Sequence, residues 1–131
     1  MAKSNRVKPT ESELEILQIL WANGPSSVRQ VNEVLNNKRE VGYTTTLKIM
    51  QLMLDKGLVD RDTKTRTHIY HAVVSEEHTR KHLLDSFVDK TFRGSAMEMV
   101  MQALGNKDTS QEQLDEIKAF INKIEQDRKK K

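Results

Sequence analysis

Tyr43-Thr44-Thr45-Thr46 followed by Lys48 is the run in this sequence best suited to recognition chemistry. Short hydroxyl side chains exchange hydrogen bonds with nucleic-acid base edges and backbone, and a lysine one helical turn on adds a cation on the same side. Lys64 and Arg66 sit in the Thr-rich stretch Asp62-Thr63-Lys64-Thr65-Arg66-Thr67 and offer charge to phosphate oxygens. The plainer alternatives are that Thr44 and Thr45 cap a helix and that the cations are simply solvated. The histidines form a second cluster. His68, His71, His78 and His82 fall within fifteen positions, and the last two have the i, i+4 spacing of zinc ligands. However, His78-Thr79-Arg80-Lys81-His82 lacks a glutamate after its first histidine, and two adjacent cations oppose a metal, so no metal site is expected. Glu11, Glu13 and Glu15 are expected at a helix start on a solvated face, not as an acid–base pair. No Gly-rich phosphate loop or nucleophile elbow is present, so neither an enzyme nor a cofactor is expected.

The elements that must position these groups are mostly helices. Thr10-Glu11-Ser12-Glu13 is a capping box opening a first helix with Leu14, Leu17 and Trp21 on its apolar face and Ile16 and Leu20 beside them. Asn23-Gly24-Pro25 stops it. A second helix starts at Ser26 or Ser27 and carries Val28, Val31 and Leu35. Asn36 to Gly42 reads as a polar loop. A third helix, from about Thr44 to Lys56, turns Ile49, Met50 and Met53 inward, with Gly57 expected just past its end. Beyond Gly57 the period shortens, and Leu58–Arg61 and His68–Val74 read as two antiparallel strands joined by the basic loop. Three amphipathic helices complete the chain, starting near Ser75, Ser95 and Thr109 or Ser110.

Composition narrows the class. The chain has 131 residues, 36% hydrophobic and 31% charged, with no cysteine, five glycines and two prolines. This describes a foldable, helix-rich protein without disulfides, thiolate metal sites or a cysteine nucleophile. No apolar run is long enough to span a membrane, and Met1-Ala2-Lys3-Ser4-Asn5-Arg6 lacks the apolar core of a signal peptide, so a cytoplasmic location without membrane insertion is expected. The net charge of +3 lies wholly in residues 1–74, which hold 11 cations and 8 carboxylates; the remainder balances. A polyanion would therefore bind the first half.

Three short helices followed by a hairpin is the order of a winged helix-turn-helix, in which the second helix of the motif enters the major groove. The expected fold is mainly α with a small β-hairpin: a winged helix-turn-helix DNA-binding domain over 1–74 and a C-terminal helical dimerisation domain over 75–131. The expected DNA-binding residues are Tyr43, Thr44, Thr45, Thr46 and Lys48, with Arg29, Lys64 and Arg66. A winged-helix protein-interaction module without DNA binding is the alternative.

The runs Thr10-x-x-Glu13-x-x-Ile16-Leu17-x-x-Leu20-Trp21, Tyr43-Thr44-Thr45-Thr46-Leu47, Asp55-Lys56-Gly57-Leu58-Val59 and Arg66-Thr67-His68-Ile69-Tyr70 resemble the BlaI/MecI/CopY family of penicillinase and methicillin-resistance repressors. The resemblance is strong over residues 8–74. It continues more weakly to the end, where Asp108-Thr109-Ser110-Gln111 is similar to the family's link. It implies a bacterial repressor and antibiotic-resistance regulator that binds a pseudo-palindromic double-stranded operator with TACA/TGTA cores as a homodimer. It also implies induction through a membrane sensor protease that triggers a cut in the dimerisation helices. Two departures are visible. Gln102-Ala103 stands at the family's Asn-Phe cleavage bond and marks the candidate cleavage region. The Cys-x-Cys motifs of the copper-responsive branch are absent, which excludes a copper-thiolate sensor.

The second half carries more apolar surface than so short a segment can bury alone. Leu83, Leu84, Phe87, Val88 and Phe92, then Met97, Val100, Met101 and Leu104, then Leu114, Ile117, Phe120, Ile121 and Ile124 form stripes that a second copy would cover. The expected partners are thus operator DNA, a second copy of the chain and the sensor-protease system.

Overall fold

The computed structural model describes residues 8–106 and 108–130; the N-terminal stretch through Val7, Lys107 and Lys131 lie outside the described residues. The elements in chain order are α1 (Glu11–Asn23), β1 (Ser26–Ser27), α2 (Val28–Asn36), α3 (Tyr43–Lys56), β2 (Val59–Asp62), β3 (Ile69–Ala72), α4 (Glu76–Phe92), α5 (Ala96–Leu104) and α6 (Gln111–Lys129). The chain divides into two compact units, one ending at Leu84 and the other starting at Asp85.

Local chemistry sets the helix starts. The Thr10 hydroxyl accepts from the Glu13 amide at 3.2 Å while Glu13 Oε1 accepts from the Thr10 amide at 2.9 Å, the expected capping box. Ser27 and Gln30 repeat the pattern at α2, and Ser110 and Gln113 at α6. The Ser95 hydroxyl caps α5 through the Glu98 amide. Gly57 ends α3 in the left-handed region at φ 80°, ψ 17°, which lets the Leu58 amide donate back to the Met53 carbonyl at 3.0 Å.

The sheet is antiparallel with order β1-β3-β2, so β3 is central. The two expected strands are present. The third, β1, was not expected: Ser26 and Ser27 pair with Tyr70 and Ile69, and two residues are too few to carry an alternating pattern. β1 ties the start of α2 to the hairpin.

The core of the first unit joins α1, α2, α3 and the sheet through Ile16, Leu17, Leu20, Val31, Leu35, Met50, Met53, Leu58, Val59 and Tyr70, with Val28 at its edge. The buried face of α1 is rotated from the expected one. Ile16 and Leu20 are inside, whereas Trp21, with Ile49 of α3, is only half-buried, as is Leu14. The Trp21 indole explains its own position, because its Nε1 donates to the Val74 carbonyl at 3.0 Å and must stay at the rim. Glu13 is not on a solvated face. It is buried and pairs with Lys56 Nζ, which reaches from the last turn of α3 to 2.7 Å. A carboxylate that closes a cap and meets an ammonium group can be buried where an unpaired one could not.

In the second unit, Phe87 and Phe92 meet edge to face with ring centroids 5.8 Å apart. Neither α5 nor α6 contains a buried residue. Among the described residues no helix is long and apolar enough to cross a membrane.

Candidate nucleic-acid interface

The turn between α2 and α3 is held by two asparagines of α2. Asn36 accepts from the Val41 amide at 3.1 Å and donates to the Val41 carbonyl at 2.9 Å. Asn32 Nδ2 donates to the same carbonyl at 3.0 Å and to Thr46 Oγ1 at 2.8 Å. Asn36, expected in a plain polar loop, and Asn32 of the helix before it therefore fix how α3 leaves α2. The signal was available: asparagine side chains mimic backbone partners in turns.

Gly42 is the N-cap of helix α3, which therefore begins with no side-chain cap. Thr44 and Thr45 are thus not capping residues. The first-turn amides are unused by side chains and carry the positive end of the helix dipole, an arrangement that suits phosphate oxygens. Tyr43, Thr44 and Thr45 are exposed on that turn, and Lys48 is exposed one turn further. Thr46 is a correction. Its spacing of four and seven from Met50 and Met53 places it on the inner face, where it is 0% exposed. Its hydroxyl accepts from Asn32 and donates to the Gly42 carbonyl at 3.4 Å. Thr46 positions the helix and is closed to an external ligand.

Arg29, in the first turn of α2, and Tyr43 line a groove of about 450 Å³. Arg66 of the hairpin lines it too, together with Arg61, Thr67 and His68, as does Gln51 of α3. Lys64 is exposed at the hairpin tip and is not part of this lining. Arg61 and Gln51 went unseen in the sequence. Arg61 sits between Asp60 and Asp62 and reads as a neutralised charge. Strand alternation was the usable signal, since it sends Arg61 to the opposite face from both. Arg29, Lys48, Lys64 and Arg66 form no ion pair among the described residues. One carboxylate elsewhere on the unit is perturbed: the hydrogen bond from Arg39 holds Glu15 below the usual carboxylate range.

His78 is exposed and His82 half-buried on α4, and among the described residues no three His, Asp or Glu side chains assemble as metal ligands. Along the second-half stripe, Leu84, Phe87, Met97, Val100, Met101, Phe120, Ile121 and Ile124 are exposed, and Leu83, Phe92, Leu104, Leu114 and Ile117 are half-buried. Val88 departs from the expectation. It is buried within the single chain and is not available to a second copy. Gln102 and Ala103 are exposed in the last turns of α5.

Residues 9–123 match the family model described as penicillinase repressor. The chain belongs to the penicillinase repressor family. This family member is 21% identical over 114 residues to the methicillin resistance regulatory protein MecI of Staphylococcus aureus, an alignment covering 87% of the chain and 93% of MecI. It is 35% identical over 74 residues to the transcriptional regulator BlaI of Mycobacterium tuberculosis, covering 56% of the chain and 52% of that protein. Among solved structures, the DNA-binding domain of the repressor BlaI aligns with a TM-score of 0.50 at 18% identity, over 60% of this chain and 93% of that one. A transcriptional regulator from Thermotoga maritima aligns with a TM-score of 0.52 at 19% identity, over 93% of this chain and 80% of that one. These structures establish the fold: a mostly helical chain with a small winged-helix sheet.

Proposed function

We propose that this family member is a cytoplasmic transcriptional repressor that binds a pseudo-palindromic operator as a homodimer and performs no chemistry. The observation that carries the reading is the open first turn of α3. Thr44, Thr45 and Lys48 are exposed there, its amides are uncapped, and the cations Arg29, Lys48, Lys64 and Arg66 form no ion pair among the described residues. Names given to the relatives, a DNA-binding domain of a repressor and methicillin-resistance regulators, agree with it. Affinity comes from phosphate neutralisation by Arg29, Lys64 and Arg66, and base discrimination from Thr44, Thr45 and Lys48. Residues 1–74 are the DNA-binding domain and residues 75–131 the dimerisation domain.

The exposed apolar residues of α5 and α6 support the dimer. Leu104, Ile117 and Phe120 line a hollow of about 490 Å³ open to a second copy. A cut in the exposed Gln102-Ala103 region would remove α6 and leave the DNA-binding domain whole. Proteolysis set off by a membrane sensor could thus relieve repression without touching the DNA surface. A duplex selected from random sequence by the purified protein supplies the operator for testing. Thr45→Ala with Lys48→Ala should weaken that duplex by about 1–3 kcal/mol for each base-edge interaction removed, with an unchanged circular dichroism spectrum. An unchanged affinity in a folded variant removes α3 as the reading helix.

A further inference from the structure

We propose that the groove between α2, α3 and the hairpin is a slot for a DNA backbone phosphate and that Arg61 is its fixed ligand. The inference rests on the DNA-binding reading above and adds the residue that sets the register of the hairpin on the duplex.

The first observation is the electrostatics of the lining. Three arginines, Arg29, Arg61 and Arg66, line about 450 Å³ of open space, and no carboxylate lines it. None of the three forms an ion pair among the described residues. Three like charges placed together without a counter-ion repel one another, and a bound anion removes that repulsion. The carboxylates nearest in sequence are otherwise engaged: Asp60 Oδ1 accepts from the Arg61 amide at 2.8 Å, and Asp62 Oδ1 accepts from the Lys64 amide at 2.9 Å.

The second observation is order. Arg29 and Arg66 are exposed, whereas Arg61 is half-buried and its Nη1 donates to the Tyr70 hydroxyl at 3.4 Å. Tyr70 is 1% exposed and belongs to the central strand, so its hydroxyl is a fixed post. The bond is long, but with the half-burial of Arg61 it biases the side chain toward the Tyr70 hydroxyl before a ligand arrives, and a planar guanidinium so placed still has donors free for two phosphate oxygens. Arg61 thus differs from the solvated wing cations in being oriented in advance.

The ligand chemistry is a phosphate diester flanked by apolar sugar. Tyr43 and Leu47 supply apolar surface beside the guanidinium groups, which a bare inorganic anion would not use. A duplex backbone brings both parts together and, in the reading above, already runs past the open turn of α3.

The test measures the selected operator duplex against salt for the full chain, Arg61→Gln, Arg61→Lys, Tyr70→Phe and the remote control Lys38→Gln. Arg61→Gln should weaken every duplex by about tenfold and lower the magnitude of the salt slope by about one unit. Arg61→Lys should keep the slope and lose affinity, because charge remains while the planar donor pair is gone. Tyr70→Phe should lose about two- to fivefold with an unchanged slope, the signature of weakened positioning at constant charge. Lys38→Gln removes the same charge outside the groove and should change neither. An Arg61→Gln curve that overlays wild type, or matches Lys38→Gln, overturns the slot while leaving the DNA-binding reading intact. Failure of the wild-type chain to bind any duplex with a salt-dependent constant overturns both. Inorganic phosphate that stabilises the unliganded chain at constant ionic strength, in an Arg61-dependent manner, would assign the slot to a free anion and overturn its role on DNA.

Discussion

The two compact units handle apolar side chains in opposite ways. In the first, eleven apolar residues between Ile16 and Tyr70 form one closed cluster. In the second, no residue of α5 or α6 is buried, and Met97, Met101 and Phe120 are 70%, 66% and 63% exposed. The difference does not lie in local structure. α5 and α6 are capped by Ser95 and Ser110 in the manner of α1 and α2, and their apolar residues recur at helical spacing. Caps and periodicity make a helix; only a partner surface makes it buried. The first unit supplies that surface from its own chain. The second presents stripes of the kind that monomeric proteins seldom leave open.

Breaking the dimer face is the sharpest way to test this contrast and should have the largest effect. Met101→Glu with Phe120→Glu places two carboxylates where apolar packing is expected. Each apolar side chain withdrawn from an interface forfeits roughly 1.5–3 kcal/mol, and the buried charges oppose association further. The variant should sediment as a monomer at micromolar concentration while wild type sediments as a dimer. Its occupancy of the palindromic duplex should fall at least about a hundredfold, because the second half-site loses its linked reader. Unfolding of the first unit should not change. A wild-type monomer, or a double variant that dimerises like wild type, would place the partner of these stripes elsewhere.

The same contrast explains what could be read from the sequence. The caps at Thr10, Ser27 and Ser110, the left-handed Gly57, the hairpin and the open turn at Tyr43 to Thr45 all follow from neighbours a few positions apart. Features set by distant partners were missed. Glu13 looks solvated until Lys56 arrives from 43 residues away. Thr46 looks like a recognition residue until Asn32 claims its hydroxyl. β1 is two residues long and exists because β3 passes beside it. On α1, residues 14, 17 and 21 and residues 16, 17 and 20 both make a stripe, and only the position of α3 and the sheet decides between them. Arg61 hides between two aspartates until pleating separates the faces.

A mid-sized effect should come from the polar hinge of the first unit. Asn32→Ala removes the donor shared by the Val41 carbonyl and the buried Thr46 hydroxyl, and leaves that hydroxyl with only a long bond to Gly42. A buried polar group deprived of its partner costs about 1–3 kcal/mol. The urea midpoint of the first unit should fall accordingly, and operator affinity should fall with it because α3 loses its fixed exit from α2. Phe120→Ala, which removes far more carbon from an uncovered helix, should not move that midpoint. A change under about 0.5 kcal/mol for Asn32→Ala would mean that Asn36 alone holds the turn.

The smallest expected effect is a pH dependence confined to the first unit. Three ion pairs among the described residues lie there, and one of them, Arg39 to Glu15 at 2.6 Å, ties the end of the α2 turn to α1. The hydrogen bond from Arg39 is the main cause that holds the Glu15 carboxyl below its ordinary range; partial desolvation opposes it, and the charges of Arg39 and Lys38 add to it. A carboxyl with a depressed folded-state pKa contributes stability above its unfolded-state pKa and loses that contribution as pH falls through the folded value. The matching upward shift of Arg39 contributes stability that is fully present near neutrality and is lost only in strongly alkaline solution, so it adds no pH dependence in the acid range. The pair is open to solvent, with side chains 48% and 30% exposed, so screening keeps the effect small. Glu15→Gln should therefore melt slightly below wild type at neutral pH, and the gap should close as acid protonates Glu15 in the wild-type chain. Added salt should narrow the neutral gap in the same direction. A gap that widens on acidification would reverse the sign of the linkage and show that folding makes Glu15 easier to protonate, not harder.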